Sequence, residues 1–307
     1  MNRKTLFEFL FLGVIWGSSY SLIAVSLERF SPLQVAQVRL LGGALVLVAV
    51  LVSNGARRGK IAWSAKFIAH LFGAGLVSTA LPYLLISWGE TKAPSAVAGM
   101  LGATTPIFAA VLAPIILKEA LGAKRKVGVT VGLVGVILIF HPWSTQSLGS
   151  IIAEGAIVLA ALLYAVSFIY LKRFLIPTGA SSLTIAAGQI TASALMLLAL
   201  DPMGPGVVLH AGARVDLSIL TLGIVQTGFA ALLSTRLVRQ VSATVSSAVT
   251  YLIAVVSVAE GFFFQHQKLE LVFFVGAVVV MVGLFITSGV DSTTISAKKA
   301  KASKTSS

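Results

Sequence analysis

The chain has 307 residues, 57% of them hydrophobic and only 11% charged, with mean hydropathy +0.98 and net charge +13. A water-soluble domain carries about 25% charged residues, so this chain cannot cover its surface with polar groups in water, and its apolar runs of about 20 residues mark membrane-spanning helices. The runs do not alternate as β-barrel strands would, the absence of cysteine excludes disulfides and thiolate metal sites, and the positive charge reads as membrane topology rather than nucleic-acid binding.

Ten spans are predicted, at roughly 5–26, 33–53, 66–88, 94–117, 124–141, 151–172, 180–200, 216–237, 242–264 and 268–289. The first follows Arg3 and Lys4. It is too long for a signal peptide and lacks a small-residue cleavage site. Residues 94–140 read as two apolar helices joined by a basic hinge, and the pattern returns on adding 148 to the numbers. Val97, Leu121, Gly128 and Gly135 meet Val245, Leu269, Gly276 and Gly283; upstream, Ser19, Gly75 and Thr79 meet Ser167, Gly223 and Thr227. One offset that superimposes both residues and helices indicates an internal duplication. The halves are 1–146 and 149–291, followed by a basic cytoplasmic tail, 292–307, with Lys298, Lys299, Lys301 and Lys304 among Ser and Ala.

With the N-terminus inside, 18 of the 23 Lys and Arg fall on the cytoplasmic side; Arg29, Arg39, Lys92, Arg214 and Lys268 do not. Five spans per half is an odd number, so the halves insert in opposite senses. The expected fold is an all-α membrane protein of ten transmembrane helices in two inverted five-helix repeats, with N- and C-termini inside. Many secondary transporters have this architecture, with the substrate site near the midplane between the repeats.

Trp16-Gly17-Ser18-Ser19 in the first span, Arg39 in the second, Pro106 in the fourth, and Lys118-Glu119-Ala120-Leu121 followed by Gly128 and Gly135 resemble an EamA repeat of the drug/metabolite transporter superfamily. The second half departs from it: Tyr164-Ala165-Val166-Ser167 replaces the Trp-Gly start, Gln267 stands opposite Glu119, and Ala254 opposite Pro106. Within the superfamily the chain looks most like the aromatic amino-acid exporters (YddG-type). The resemblance implies a bacterial inner-membrane location, a central cavity between the repeats and export of small metabolites such as amino acids.

The residues themselves offer a pocket. Trp16, Ser19, Tyr20 and Ile23 share one face of the first span, and Tyr164, Ser167, Phe168 and Leu171 share the matching face of the sixth. They fit a cavity wall for a hydrophobic side chain; packing or lipid-facing aromatics would give the same pattern. Thr79 and Tyr83 in the third span, Gln226 in the eighth, and Met100 and Tyr251 join the candidate substrate-binding set. Gln226, the one amide in its span, fits either a substrate's polar end or a neighbouring helix. Arg39 fits a substrate carboxylate; snorkelling to the outer interface, or pairing with Gln34 or Gln37, fits as well. Pro82, Pro106 and Pro114 mark hinge points. Ser95, Gly99, Gly102 and Ala103, with Ala243, Ser246, Ser247 and Thr250, read as close packing between helices.

Glu8, Glu28, Glu90, Glu119, Glu154 and Glu270 lie at span ends or loops, and Glu260 in the outer part of the ninth span. With no acid near a predicted midplane, coupling of protons through a carboxylate is disfavoured; His70 is the one titratable alternative noted. The four His are scattered, and no nucleophile elbow or phosphate loop appears. The reading is therefore not an enzyme, with no cofactor, no metal and no nucleic acid. Its partners are a small-molecule substrate and the lipid bilayer. The function expected is a secondary transporter exporting small metabolites, hydrophobic or aromatic amino acids, by alternating access. A broad metabolite or xenobiotic exporter and a non-transporting membrane receptor are the alternatives.

Overall fold

A computed structural model describes residues 3–53, 64–117, 123–140, 148–202, 211–241, 246, 249–267 and 269–288. The Lys118–Leu121 motif, residues 203–210, Ala243, Ser247 and the tail 292–307 lie outside the described residues.

Secondary structure among the described residues is helical throughout. We label the helices α1 (Arg3–Ser26), α2 (Pro32–Ser53), α3 (Ala65–Gly89), α4 (Ser95–Gly102 and Thr105–Leu117), α5 (Ala123–Phe140), α6 (Leu148–Thr178), α7 (Ser182–Leu200), α8 (Ala213–Gln240), α9 (Val249–Phe263) and α10 (Leu271–Ser288). Seven of them, α1–α4 and α6–α8, are long and apolar enough to cross a membrane; α5, α9 and α10 contribute shorter apolar stretches. Large apolar side chains stay exposed on the outer faces, among them Phe7, Leu45, Leu159, Val278 and Phe285. That surface suits lipid, where only helices with satisfied backbones are stable.

Local chemistry sets the helix starts. Ser31 and Gln34 form a reciprocal cap before α2: Gln34 N–H donates to Ser31 Oγ at 3.3 Å and Ser31 N–H to Gln34 Oε1 at 2.9 Å. Pro32 takes the first helical position, where its missing N–H costs nothing. Ser64 and Ser181 accept from Phe67 N–H and Thr184 N–H at 3.1 and 3.0 Å.

The halves meet through glycines. A methyl group added at Gly42 would lie 3.1 Å from Gly223 Cα, so α2 and α8 touch backbone to backbone. The corresponding α3–α7 contact sets Gly75 against the Gln189 carbonyl and Ser193. α1 crosses α9 at Gly13 and Gly17, which face Leu252 and Val256. α5 and α10 are joined by Gly135 against Gly276 and Val280, and Gly283 against Gly132 and Gly128. Gly75 and Gly223, Gly128 and Gly276, and Gly135 and Gly283 are the pairs spaced by 148 in the sequence.

Four helices depart from the regular spans predicted; α6 ends in a π-helical stretch over Leu171–Leu175 and a 3-10 turn over Ile176–Thr178. α3 widens to a π-helical stretch over Leu76–Ala80 and α8 over Leu222–Phe229, at matching places in the two halves. In α3 the cause is Pro82, which has no N–H for the carbonyl one turn back. In α8 the Thr227 hydroxyl donates to the Leu222 carbonyl at 2.8 Å and supports the wider turn. α4 breaks at Ala103–Thr104. Pro106 cannot donate to the Gly102 carbonyl, and the Thr105 hydroxyl does so instead at 2.8 Å. Pro114 lies within the second segment of α4.

Candidate functional site

The breaks surround an internal cavity. Its walls include Trp16, Ser19, Tyr20 and Ile23 of α1, Arg39 of α2, Ser78, Thr79, Tyr83 and Ile86 of α3, and Gly102 of α4. The second half supplies Tyr164, Ser167, Phe168 and Leu171 of α6, Gln189 of α7, Ala231 and Ser234 of α8, and Thr250 and Ile253 of α9. The two aromatic faces predicted in α1 and α6 thus open onto one space. The space available to the centre of a water molecule is ≈ 70 Å³, enough for a few waters.

Among the described residues, Arg39 is the one cationic side chain in the wall, and it is only 2% exposed. Its guanidinium lies 3.6 Å from the centre of the Tyr83 ring, and its Nε–H donates to Thr227 Oγ1 at 3.2 Å. It does not snorkel outward. Gln37 and Gln34 are engaged elsewhere, Gln37 donating to the Leu197 and Asp201 carbonyls at 3.0 and 2.6 Å. The π-helical stretch of α8 is what presents Thr227 to Arg39.

The hydroxyls are committed locally. Ser19 donates to the Trp16 carbonyl at 2.5 Å and Ser167 to the Tyr164 carbonyl at 2.8 Å, the same bond in each half. Each keeps acceptor capacity toward the cavity. Thr79 bonds Ser193 at 2.7 Å and the Gly75 carbonyl at 3.1 Å. Gly102 admits Tyr20: a methyl group there would come within 2.5 Å of the Tyr20 hydroxyl.

Three residues expected in the pocket lie elsewhere. Gln226 is buried in α8 but does not line the cavity; its backbone carbonyl accepts from Trp16 Nε1 at 3.1 Å, tying α1 to α8. Met100 and Tyr251 line a separate apolar groove of ≈ 760 Å³, with Phe262, Phe263, Phe274 and Phe285. Successive residues on α9 explain the split, since Thr250 faces the cavity and Tyr251 the groove.

Four polar residues of the wall lie outside the predicted set: Ser78, Gln189, Ser234 and Thr250. Gln189 Oε1 and Ser78 Oγ are buried without a hydrogen-bond partner among the described residues. Gln189 is the one amide in α7, a signal equal to that of Gln226. Periodicity alone does not say which amide faces inward. Buried polar atoms are normally satisfied, so both atoms are available to water or a ligand. His70 lies apart near the start of α3, where it hydrogen-bonds the Tyr170 hydroxyl at 2.8 Å and stacks on Phe174. Among the described residues, no group of three or more His, Asp or Glu is placed to hold a metal ion.

A multi-pass helical protein with a buried, partly polar cavity between its halves is the class that fold and site define. The EamA-like transporter family model matches residues 4–141 and again 151–289, so the chain belongs to the EamA-like transporter family. It is similar to the uncharacterized transporter YdfC of Bacillus subtilis, 30% identical over 250 residues, covering 79% of this chain and 78% of that one. An uncharacterized transporter of Archaeoglobus fulgidus is 26% identical over 273 residues, covering 88% and 94% of the two chains. The uncharacterized inner membrane transporter YedA of Escherichia coli K12 is 25% identical over 275 residues, covering 81% and 79%. A solved crystal structure superimposes with TM-score 0.69 at 16% identity, over 94% of this chain and 98% of the other, and shares the fold. The protein is thus a multi-pass transporter of the bacterial inner membrane.

Proposed function

We propose that this transporter exports small metabolites, specifically hydrophobic or aromatic amino acids, by alternating access. In this reading ten helices cross the membrane as two inverted five-helix repeats, with both termini in the cytoplasm. One observation carries it: a buried guanidinium stands in a largely aromatic and apolar cavity walled by both halves. An isolated charge within a membrane protein is costly and marks function by default. Arg39 would take the substrate carboxylate, and Trp16, Tyr20, Tyr83, Tyr164 and Phe168 its apolar side chain. Gln189, Ser78, Ser19 and Ser167 offer acceptors for its remaining polar hydrogens.

A ligand pocket holds roughly 300 Å³ or more, and the cavity has ≈ 70 Å³. Substrate binding therefore requires the walls to part. The interruptions at Pro82 and Pro106 supply places to bend, and Pro114 a further one. One half rocks against the other about these points.

The test is counterflow in proteoliposomes. Vesicles are loaded with an unlabelled amino-acid panel, and labelled phenylalanine is followed inward. Protein-dependent uptake, competed by aromatic and branched amino acids, is the expected result. Uptake of unrelated metabolites but of no amino acid would replace the substrate class with a broad exporter. Saturable binding without flux would favour a receptor.

A further inference from the structure

Glu90 has a carboxylate without a hydrogen-bond partner among the described residues. It follows α3 directly, and its N–H donates to the Ile86 carbonyl at 2.8 Å. Tyr83, Ile86 and Glu90 fall three and seven residues apart, on one helix face. Tyr83 and Ile86 line the cavity, so Glu90 stands one turn beyond them, toward the outer side in the proposed orientation. Both its carboxylate oxygens are sealed from solvent and lack a hydrogen-bond partner among the described residues.

Charged and titratable groups surround it on each packed element. Arg39 of α2 and Tyr20 of α1 are near enough to feel its charge. Tyr83 lies on its own helix, and Lys92 is exposed two residues on. α6 packs against α3 where Gly89 meets Ile157 and the Ala153 carbonyl, next to Glu154, and it also carries Tyr164. Glu154 is itself buried, with Oε2 lacking a hydrogen-bond partner among the described residues. Among the described residues Arg39 is the only cation in the cavity wall, and it is held by Tyr83 and Thr227.

An ionised carboxylate in such a place is costly unless a cation or a proton neutralises it. Burial pushes the Glu90 carboxyl well above its usual 4.5, with the positive charge of Arg39 acting in the opposite direction. Its sealed, unpartnered oxygens and its burial both favour the neutral acid over the carboxylate at Glu90.

We propose that Glu90 is an exchange site at which the ammonium group of the substrate replaces a proton. The proposal rests on the amino-acid reading of the cavity and adds its coupling. In the exchange the O–H bond of the carboxylic acid breaks, its electron pair stays on Glu90, and the proton passes to water. The carboxylate then accepts N–H hydrogen bonds from the ammonium. Nothing is oxidised or reduced; the charge of the site falls by one as the zwitterion replaces the proton, its ammonium balancing Glu90 and its carboxylate balancing Arg39. Arg39 and Glu90 together present opposite charges to the two ends of a zwitterion. After the substrate leaves outward, Glu90 is neutralised again by a proton from the outer side, so one proton moves in for each amino acid exported.

Calorimetry on the full-length protein in detergent, in two buffers of different ionisation enthalpy, counts protons released per ligand bound. The probes are phenylalanine, phenethylamine, which lacks the carboxylate, and hydrocinnamate, which lacks the amine. Wild type should release one proton for each phenylalanine or phenethylamine bound and none for hydrocinnamate. Glu90→Gln should release none with any probe, while Glu90→Asp, which keeps the acid, retains release and guards against misfolding. Phenylalanine binding without proton release, or equal release from Glu90→Gln, overturns the exchange and leaves the amino-acid reading standing. Phenethylamine binding with release, but no binding of phenylalanine, keeps the exchange and removes the amino-acid reading. Binding of neither amine nor amino acid overturns both.

Discussion

Arg39 lies with its guanidinium 3.6 Å from the centre of the Tyr83 ring while its Nε–H donates to Thr227. The contact joins α2, α3 and α8, and so ties the two halves together at the cavity wall. A desolvated cation–π contact contributes about 2 kcal/mol. Tyr83→Leu should therefore lower the thermal midpoint in detergent and loosen the position of Arg39. Arg39→Lys keeps the charge but loses the planar fork that stacks and bonds at once. It should raise KM for a carboxylate substrate roughly tenfold, the equivalent of about 1.4 kcal/mol, with Arg39→Ala more severe. Counterflow against substrate concentration measures it; an unchanged KM in Arg39→Ala would remove Arg39 from the substrate's path.

Thr227→Val leaves the Arg39 Nε–H buried without its acceptor. Such a loss costs about 1–3 kcal/mol, read as a fall in the denaturation midpoint. Thr79→Val, at the equivalent place in the first half, loses a neutral bond to Ser193 and should cost about 1 kcal/mol. Equal shifts in both variants would mean that the charge of Arg39 adds nothing to the Thr227 bond.

Gly135→Leu places a side chain where α5 meets Gly276 and the backbone of Val280. Overpacking of this kind costs about 1–3 kcal/mol, and backbone cannot move aside as a flexible side chain can. Leu45→Ala, on the lipid-facing surface at 71% exposure, should leave the midpoint within about 0.5 kcal/mol. Thermal unfolding of the two variants side by side checks the contrast.

Stability should also depend on pH through Glu90. Its folded carboxyl is held above the usual 4.5, so the folded protein retains a proton that the unfolded chain has already released. The stabilisation is fully present below the unfolded value and is lost as pH rises through the folded one. Midpoints of the empty transporter should thus fall with rising pH across that window, and Glu90→Gln should flatten the slope. A slope unchanged in Glu90→Gln would assign it to another group.

The helical class and the inward faces of α1 and α6 were legible because they rest on composition and a period of 3.6 residues, both local properties. Gln226 and Gln189 show where that reasoning ends. Each is an amide in the apolar middle of its helix, and only the rotation of that helix decides which reaches the cavity. The π-helical stretch over Leu222–Phe229 alters that rotation, and no proline announces it. Glu90 was read as an interfacial acid from its place at a span end. Its oxygens are sealed by the helices packed around it, which is a property of the assembly. The turn at Ala103–Thr104 was foreshadowed by Pro106, but the hydroxyl of Thr105 that completes it had no such signal.

The α5–α10 contact is self-complementary. Gly135 meets Gly276, the counterpart of Gly128, and Gly283, the counterpart of Gly135, meets the Gly128 carbonyl. That reciprocity is the signature of a twofold interface between identical subunits. A single half carries everything needed to form it with a copy of itself, provided the copies insert in opposite directions. In the proposed inverted arrangement the fused chain removes that requirement for mixed insertion: one polypeptide delivers both orientations in fixed one-to-one proportion. It also leaves each half free to diverge, so that a guanidinium can stand at position 39 and an alanine at its counterpart, 187.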